Sequence, residues 1–519
     1  MLRNETPVLV GAGQLTRHPR DGGRDPAQLE GADPPTALAA EAARRAIADA
    51  SATADLGAVI DTVVVTRLLS DSSPRRAHDH GRSTNPPRSV ARRLGIDPRH
   101  AIYAEVGGNT PQAYVAKMAE RIAEGRAEAV LIAGGEAMLT SKLAARTGSR
   151  LDWQEDPGGE LDDRGFGPPL LGPADLLHGI TYPTQVYPLF EQGIRASRGS
   201  TMTAHLAAMG RLFAPFTRVA AGNPYACFPV ERSAEELVAV HAENPYVAFP
   251  YPKYCNARDG VDMAAAVVLT SVGRARELGI PRERWVFLHG CAEVDEKLPV
   301  LERPDYARSP AIGLAADAAF AMSGVGLDDI ELIDLYSCFP SAVEAACDEL
   351  GLAEDDARGL TITGGLPFFG GPGNSYSLHA IAEMVQRLRE RDGAYGLVTA
   401  NGGYLSKHAA GIYSTRSFSG DWRRPAREPL QQRIAEMPSP AIATTPEGQA
   451  TIETYSVAFA NGAPRLGIVI GRLAADDRRF VSNTPEGDTG MLACLVTEEG
   501  LGRRGRVRQV GDRNVFELS

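Results

Sequence analysis

Apolar runs and helix-period segments alternate along this chain, and one block of that pattern occurs twice. In residues 107–136 and again in 370–404, a Gly-rich turn is followed by a helix-period stretch, a short apolar run and a Gly-Gly pair. An Ala-rich helical segment and a β-branched strand precede each block, at 36–66 and at 311–337. The pattern predicts an α/β protein of two similar halves, with any active site where the Gly-rich turns meet.

One region interrupts this alternation. Residues 140–215 mix Pro, Gly, aromatic and charged positions without a clear period, and we interpret them as a loop domain that covers one face of the core. The sequence therefore predicts an N-terminal half at 1–270, which carries the loop domain, and a C-terminal half at 271–420.

The pattern changes again in the last fifth of the chain. Residues 421–440 are interpreted as a linker, and 441–519 contain short alternating runs. Asn461 and Gly462 separate two of these runs, which is a strong β-hairpin signal. With the apolar run at 490–498 counted as a strand, this segment predicts a separate antiparallel domain of about six strands, similar to a small β-barrel.

Composition and charge disfavour several classes of function. The 519 residues are 43% hydrophobic and 23% charged, as in ordinary globular proteins. A net charge of −11 disfavours general binding to nucleic acid or anionic membranes, since both need a positive field. No apolar run approaches about 18 residues and no signal-peptide layout is present, so we expect no membrane span. Six scattered cysteines without metal-ligand spacing indicate a reduced, cytoplasmic compartment and no metal site.

Six segments, in this order, are similar to signatures of the thiolase family, and in particular of the sterol-carrier-protein-type thiolases. They are GRAEAVLIAGGEAM (125–138), NPYA (223–226), DGVDMAAAVVL (259–269), IELIDLYSCF (330–339), TGGLPFFGGPGN (363–374) and NGGY (401–404). The resemblance covers roughly residues 5–420. It implies a thiolase fold, in which two βαβαβαββ halves pack as five layers, α-β-α-β-α. The C-terminal addition resembles that of the thiolase-like protein type 1 group.

This chain lacks the residues that carry out the chemistry of thiolases. The family places a nucleophilic Cys at the start of a helix, where the helix dipole favours the thiolate, and this chain has Gly107 there. The family's His in Gly-His-Pro corresponds to Gly371, and its second Cys corresponds to Ala400. Ordinary thiolase activity is therefore predicted to be absent or very weak.

One cysteine of the family's catalytic loops has a counterpart. The segment Tyr-Ser-Cys-Phe at 336–339 stands where the sterol-carrier-type thiolases have His-Asp-Cys-Phe. Cys338 is therefore a candidate catalytic residue, as an acyl acceptor or acid/base activated by His408, the second candidate. The alternative is that Cys338 is a buried structural thiol. A further imidazole, His379, is interpreted as a helix-face residue.

The Gly-rich turns are the expected ligand-binding elements. Glycine lets the backbone approach a ligand closely, so such turns are suited to present N–H groups to a thioester oxygen. The alternative is that they only close tight turns between a strand and a helix. The residues concerned are Gly107, Gly108, Asn109, Gly370, Gly371, Asn401 and Gly402.

Two functions remain open from the sequence. The first is a thiolase-like protein of acyl-CoA or lipid metabolism that binds an acyl-CoA and transfers the acyl group through a non-standard site. The alternative is a non-catalytic acyl-CoA-binding or scaffolding subunit that partners another acyl-processing protein. A coenzyme A thioester is the expected ligand in both, without any other cofactor. Since thiolases usually dimerise through the N-terminal half, the expected assembly is a homodimer or a complex with another protein.

Overall fold

A computed structural model describes residues 2–18, 29, 31–73 and 78–519 of the chain. The elements of the N-terminal half and its loop domain are β1 (Pro7–Arg17), α1 (Pro35–Asp49), β2 (Ile60–Val65), α2 (Pro86–Leu94), β3 (His100–Tyr103), α3 (Thr110–Ala123), β4 (Ala129–Ala137), α4 (Met138–Thr147), β5 (Asp162–Asp163), α5 (Pro173–Leu177), α6 (Pro183–Ser197), α7 (Met202–Gly222), α8 (Ala234–Val238), β6 (Tyr246–Phe249), β7 (Tyr251–Pro252) and β8 (Asp262–Ser271). Those of the C-terminal half are α9 (Val272–Glu277), β9 (Phe287–Asp295), α10 (Pro310–Ser323), β10 (Ile330–Asp334), α11 (Pro340–Leu350), α12 (Tyr376–Glu390), β11 (Tyr395–Gly402) and β12 (Lys407–Ser414). The remaining elements are α13 (Glu428–Glu436), β13 (Gly448–Ala460), β14 (Ala463–Leu473), β15 (Arg479–Asn483), α14 (Thr489–Thr497), β16 (Arg504–Val510) and β17 (Arg513–Leu518).

The N-terminal half forms one mixed sheet with the strand order β1-β8-β4-β2-β3-β5. β2 runs parallel to β3 and β4, and β8 runs antiparallel between β1 and β4. Every residue of β2 and β4 is buried, as expected for strands rich in Val, Ile and Ala that are covered on both faces.

Each edge of this sheet has a short contact with another part of the chain. On one side Ile102 and Tyr103 of β3 pair with the two residues of β5. On the other side Leu9 of β1 forms a single bridge to Val286, next to β9.

The C-terminal half repeats the plan with one difference. Its sheet has the order β10-β11-β12-β9, with β10 and β11 parallel and the other two pairs antiparallel. An irregular segment at 359–366 takes the place of the third strand. The Asp334 carboxylate accepts the N–H groups of Ile362 and Thr363 at 3.0 and 3.1 Å, so a side chain satisfies the backbone of this segment.

Five layers, α-β-α-β-α, are present, as predicted. α3 and α12 lie between the two sheets, while α1 packs on the outer face of the N-terminal sheet and α10 on that of the C-terminal sheet. Eleven of the 15 residues of α12 are buried, which is typical of a helix enclosed on all sides.

The loop domain is more helical than its composition predicts. Residues 140–215 include α5 and α6, and α7 continues beyond them to Gly222. Pro188 and Pro215 lie inside α6 and α7, and these internal prolines hide the helical period in the sequence. α7 has 21 residues, yet neither it nor any other helix in the described ranges is both long and apolar enough to cross a membrane.

The C-terminal domain is a closed barrel of five strands in the order β14-β15-β17-β16-β13, with β13 and β14 paired to complete the ring. The barrel-like prediction is confirmed, but the count of six strands is wrong. Residues 490–498 fall almost entirely in α14. Asp488 is the N-cap of this helix, and its side chain accepts the N–H of Met491 at 2.9 Å. Met491, Leu492 and Leu495 are buried together, which is a helical spacing.

The segment interpreted as a linker, 421–440, contains the helix α13. Ile434 on this helix is buried, and Gln431 Nε2 donates to Asp295 O at 2.8 Å. The connection to the barrel is therefore packed against the C-terminal half.

Candidate functional site

Two Gly-rich turns meet between the sheets. Gly107 and Gly108 precede α3, and Gly402 ends β11. A Cβ on Gly402 would lie 3.1 Å from both Gly107 Cα and Gly108 N, and a Cβ on Gly108 would lie 2.5 Å from Asn401 O. Because these approaches leave no room for a side chain, the contact requires glycine. We call this contact the glycine junction.

The third predicted turn, Gly370-Gly371, packs against Arg258. Gly371 N donates to Arg258 O at 2.9 Å. The turn reaches the glycine junction through Asn374, whose Oδ1 accepts the N–H of Gly107 at 3.2 Å. Gly371, at the position of the family's His, therefore adds no side chain to the junction.

Cys338 lies beside the glycine junction as a buried thiol. It follows β10 and is 7% exposed. Asn401 Nδ2 lies 3.9 Å from Cys338 Sγ and donates to Tyr187 OH at 2.9 Å, so thiol, amide and phenol form one hydrogen-bonded group. Burial raises the pKa of the Cys338 thiol to about 12, although bonds from Tyr187 and Asn401 favour the thiolate. The thiol is protonated at neutral pH.

His408 lies opposite Asn401 in the β11–β12 ladder, but its imidazole bonds elsewhere. His408 Nε2 is 3.1 Å from Ser309 Oγ, and that hydroxyl donates to Glu296 Oε1 at 2.9 Å. Burial lowers the pKa of His408 to about 3. No described hydrogen bond joins His408 to Cys338, so the structure does not pair the two candidate catalytic residues for proton transfer.

The space beside the candidate imidazoles is small. His408, Asn401 and Tyr336 line a cavity of about 20 Å³, which admits one water molecule and no acyl group. The other imidazole considered, His379, is buried in α12, with Nδ1 2.9 Å from Gln14 Oε1. It serves the packing between the sheets.

A larger, open cleft of about 430 Å³ lies beside the glycine junction, next to Asn109. Asn109 and Lys407 line it and are 6% and 5% exposed. Lys407 Nζ donates to Val106 O at 3.1 Å, whereas the buried Asn109 Oδ1 accepts no hydrogen bond. Burial lowers the pKa of Lys407. An ammonium has three donors, so Lys407 keeps two that a polar ligand can satisfy. Asn109 Oδ1, in contrast, lies against Gly107 and Gly402. We call this cavity the lysine cleft.

The lysine cleft is positively charged within an acidic protein. Its lining has six cations and four carboxylates, namely Lys117, Arg121, Arg126, Arg164, Lys407 and Arg427 with Glu105, Glu120, Glu293 and Asp295. Lys117 Nζ lies 3.3 Å from Glu105 and 3.4 Å from Glu293, and Arg427 lies 2.6 Å from Asp295. Arg126 and Arg164 are also paired, with Glu124 and Asp162 outside the lining. Arg121 and Lys407 have no described ion pair, and they are the cations of the cleft that can attract an anionic ligand.

Lys407 is a site residue that the sequence did not indicate. It opens β12, and all eight residues of that strand are buried. A lysine in a fully buried strand is unusual, because lysine is almost never buried without a partner. The signal is weak in the sequence because burial on both faces is only evident once the strand is placed in the sheet.

The C-terminal domain and the whole chain have known relatives. A family profile described as "Thiolase-like protein type 1 additional C-terminal domain" matches residues 429–512. The match begins at residue 429, whereas the sequence analysis begins this domain at residue 441. The crystal structure of a monomeric SCP2-thiolase like protein type 1 from Mycobacterium smegmatis is 38% identical, covers 100% of both chains and has a TM-score of 0.84.

More distant relatives share the fold or a part of the sequence. The dimeric peroxisomal thiolase of Saccharomyces cerevisiae is 15% identical, with a TM-score of 0.57 over 80% of this chain and 99% of that chain. The 3-ketoacyl-CoA thiolase of Erwinia tasmaniensis is 32% identical over 159 residues, which are 28% of this chain and 35% of that protein. The match thus spans about a third of the curated relative.

Proposed function

This chain belongs to the SCP2-thiolase-like proteins of type 1, and from that premise we propose that it binds an acyl-CoA thioester without carrying out thiolase chemistry. It is a thiolase-like protein related to the 3-ketoacyl-CoA thiolases. The observation that carries the proposal is the lysine cleft, which extends from charged side chains at its opening to the buried Lys407 and Asn109. Coenzyme A thioesters carry phosphates, so the cations of this cleft are complementary to them.

The absence of an activated nucleophile supports binding over catalysis. Gly107, Gly371 and Ala400 occupy the family's three reactive positions. With a pKa of about 12, Cys338 is a thiolate in only about one molecule in 10⁵ at pH 7. The imidazole of His408 is hydrogen-bonded to Ser309 instead. We therefore favour the non-catalytic alternative over acyl transfer through Cys338.

Calorimetry and mass spectrometry together test this function. We expect acetyl-CoA and acetoacetyl-CoA to bind the full-length protein with a Kd of about 1–100 μM and to bind more weakly as salt is raised. Intact mass spectra after incubation should show no acyl adduct, and acetoacetyl-CoA with free CoA should not be cleaved.

Cys338→Ala separates the two candidate functions. If the protein only binds, this variant should retain the same affinity within about twofold, because no bond from Cys338 to ligand is invoked. An acyl adduct on wild type that disappears in Cys338→Ala would establish acyl transfer instead. Failure of every CoA thioester to bind would reject the ligand class altogether.

We also propose that the protein is a monomer. β5 pairs with Ile102 and Tyr103 of β3, which leaves less of that edge of the N-terminal sheet for strand pairing between two copies. The relative from Mycobacterium smegmatis is described as monomeric. Light scattering coupled to gel filtration should give a mass near 55.3 kDa at all loading concentrations. A stable species of about twice that mass would contradict the proposal and point to an interface elsewhere.

A further inference from the structure

Three side chains of metal-binding types converge where the loop domain packs against α11 of the C-terminal half, away from the lysine cleft. Glu191 on α6, His205 on α7 and Glu344 on α11 place one ligand atom each within 4.8 Å of one another. They are 0%, 1% and 0% exposed. Helices hold all three, so the arrangement is rigid. We call this group the Glu-His-Glu cluster.

Glu344 is the member with the weakest partners, which are Arg198 and the neighbouring Glu191. Neither of its carboxylate oxygens accepts a hydrogen bond, although both are buried. The nearest guanidinium nitrogen, Arg198 Nη1, is 3.4 Å from Glu344 Oε1 and only 2.6 Å from Glu354 Oε1. An ionised carboxylate without hydrogen bonds is costly in a protein interior, so a proton or a cation must balance it.

A hydrogen bond from Tyr251 holds the carboxylate of Glu191 in position. Tyr251 OH donates to Glu191 Oε2 at 2.5 Å and lies 2.7 Å from Ser341 Oγ. The other oxygen, Oε1, contacts His205 Nε2 directly. Carboxylates that ligate metals are commonly fixed by such outer hydrogen bonds.

The surroundings of the cluster are strongly acidic. Glu499 is paired with Arg195 at 2.6 Å, and Arg198 is the remaining cation. Five carboxylates therefore face two guanidiniums, namely Glu191, Glu344, Asp348, Glu354 and Glu499 with Arg195 and Arg198. If all five carboxylates are ionised and the imidazole is neutral, the net charge is −3, and one divalent cation would reduce it to −1.

We propose that Glu191, His205 and Glu344 bind one divalent metal ion. Two carboxylates and one imidazole are a donor set that zinc accepts, and zinc ranks high in affinity among the available divalent metals. Two positive charges balance the two cluster carboxylates, and Glu344 gains a cationic partner in addition to Arg198. The ion would tie together α6, α7 and α11.

The Glu-His-Glu cluster is also connected to the glycine junction through helix α6. Tyr187 lies one helical turn before Glu191 on α6, and its OH accepts a hydrogen bond from Asn401 at 2.9 Å. A metal on Glu191 thus has a structural role, which includes fixing the helix that supports Asn401. This role does not depend on the ligand of the lysine cleft.

Metal analysis of the full-length protein tests the site directly. The protein, expressed in zinc-supplemented medium and purified without a histidine tag or chelator, should contain about one equivalent of zinc by mass spectrometry of the elements. Refolding from guanidinium with Co²⁺ in place of zinc should give visible absorption bands of a protein-bound cobalt ion. Because the cluster is buried, refolding supplies the access that simple soaking does not.

Variants separate the cluster from its acidic surroundings. Glu344→Gln and His205→Gln should lower the metal content at least about tenfold, whereas Glu354→Gln, which contacts Arg198 outside the cluster, should retain it. If Glu344→Gln does not fold, the wild-type zinc and cobalt measurements still decide. Less than about 0.1 equivalent of metal in wild type, with no cobalt bands and no zinc-dependent rise in Tm, would overturn the proposal and leave a proton on Glu344.

Discussion

Replacing Lys407 by methionine should weaken binding of acetyl-CoA about 10- to 100-fold. Lys407 is 5% exposed, and the bond from its Nζ to Val106 O leaves two donors for a ligand. A charge-assisted hydrogen bond to a buried group contributes about 1.5–3 kcal/mol, which corresponds to that loss of affinity. Methionine keeps the length of the side chain and removes the charge. Titration calorimetry of wild type and Lys407→Met at one salt concentration measures the difference.

Lys117→Met is the matched control for Lys407→Met in the same cleft. The Lys117 ammonium is already neutralised by Glu105 and Glu293, at 3.3 and 3.4 Å. Its removal should therefore change affinity by less than about threefold. Burial lowers the pKa of Lys407, so folding disfavours its charged form, and Lys407→Met should have a Tm no lower than that of wild type. Equal affinity of Lys407→Met and wild type would show that the ligand does not reach the lysine cleft.

Periodicity was sufficient to predict the two halves and the five layers. The strands β2 and β4 are continuous apolar runs, and α3 and α12 have a helix period between Gly-rich turns. These elements are buried on most faces, so burial and local pattern agree. In the loop domain and in α14, the local sequence pattern does not match the observed structure. Apolar residues of α14 form a run that is equally compatible with a strand, and only the Asp488 cap and the barrel decide for a helix.

The site was only partly predictable because its groups are distant in sequence. The Gly-rich turns were recognisable, since glycine is required where Gly108 and Gly402 approach other backbone. The proximity of Lys407 to Asn109 follows from the packing of the two sheets. The same holds for Glu191, His205 and Glu344, which come from three helices and have no ligand spacing in the sequence. Cys338 remains a candidate by sequence, but its pKa and partners describe a buried structural thiol.

One buried guanidinium makes several of the contacts between the barrel and the C-terminal half. Arg479 opens β15, and its side chain is 0% exposed. It donates to the carbonyls of Leu301, Arg303 and Pro304, at 2.8 Å for Leu301 and 3.2 Å for Pro304. Two further bonds reach Glu453 of β13, at 2.6 and 2.9 Å. Arg479 therefore joins the barrel to the thiolase-like core, together with other contacts such as the pairing of β13 with β6.

Arg479→Met should lower the free energy of unfolding of the barrel by about 3–5 kcal/mol, because it leaves the Glu453 carboxylate and three carbonyls without their donor. Hydrogen exchange of the β13 and β15 amides measures this loss, and proteolysis should begin between α13 and β13. Arg472→Met is the control: Arg472 also bonds Glu453, at 2.8 and 3.0 Å, but is 25% exposed, so about 1 kcal/mol or less is expected.

The pH dependence of the barrel gives a second readout for Arg479. Burial alone would raise the pKa of Glu453, yet bonds from Arg479 and Arg472 hold it below its ordinary value. Glu453 therefore stabilises the folded state above its unfolded pKa of about 4.3, and this contribution is lost as the pH falls through the lower folded pKa. In Arg479→Met the folded pKa should rise, so less stability is lost on acidification. If Arg479→Met and Arg472→Met have the same exchange rates and the same acid dependence, the barrel is held by its apolar contacts and not by this guanidinium.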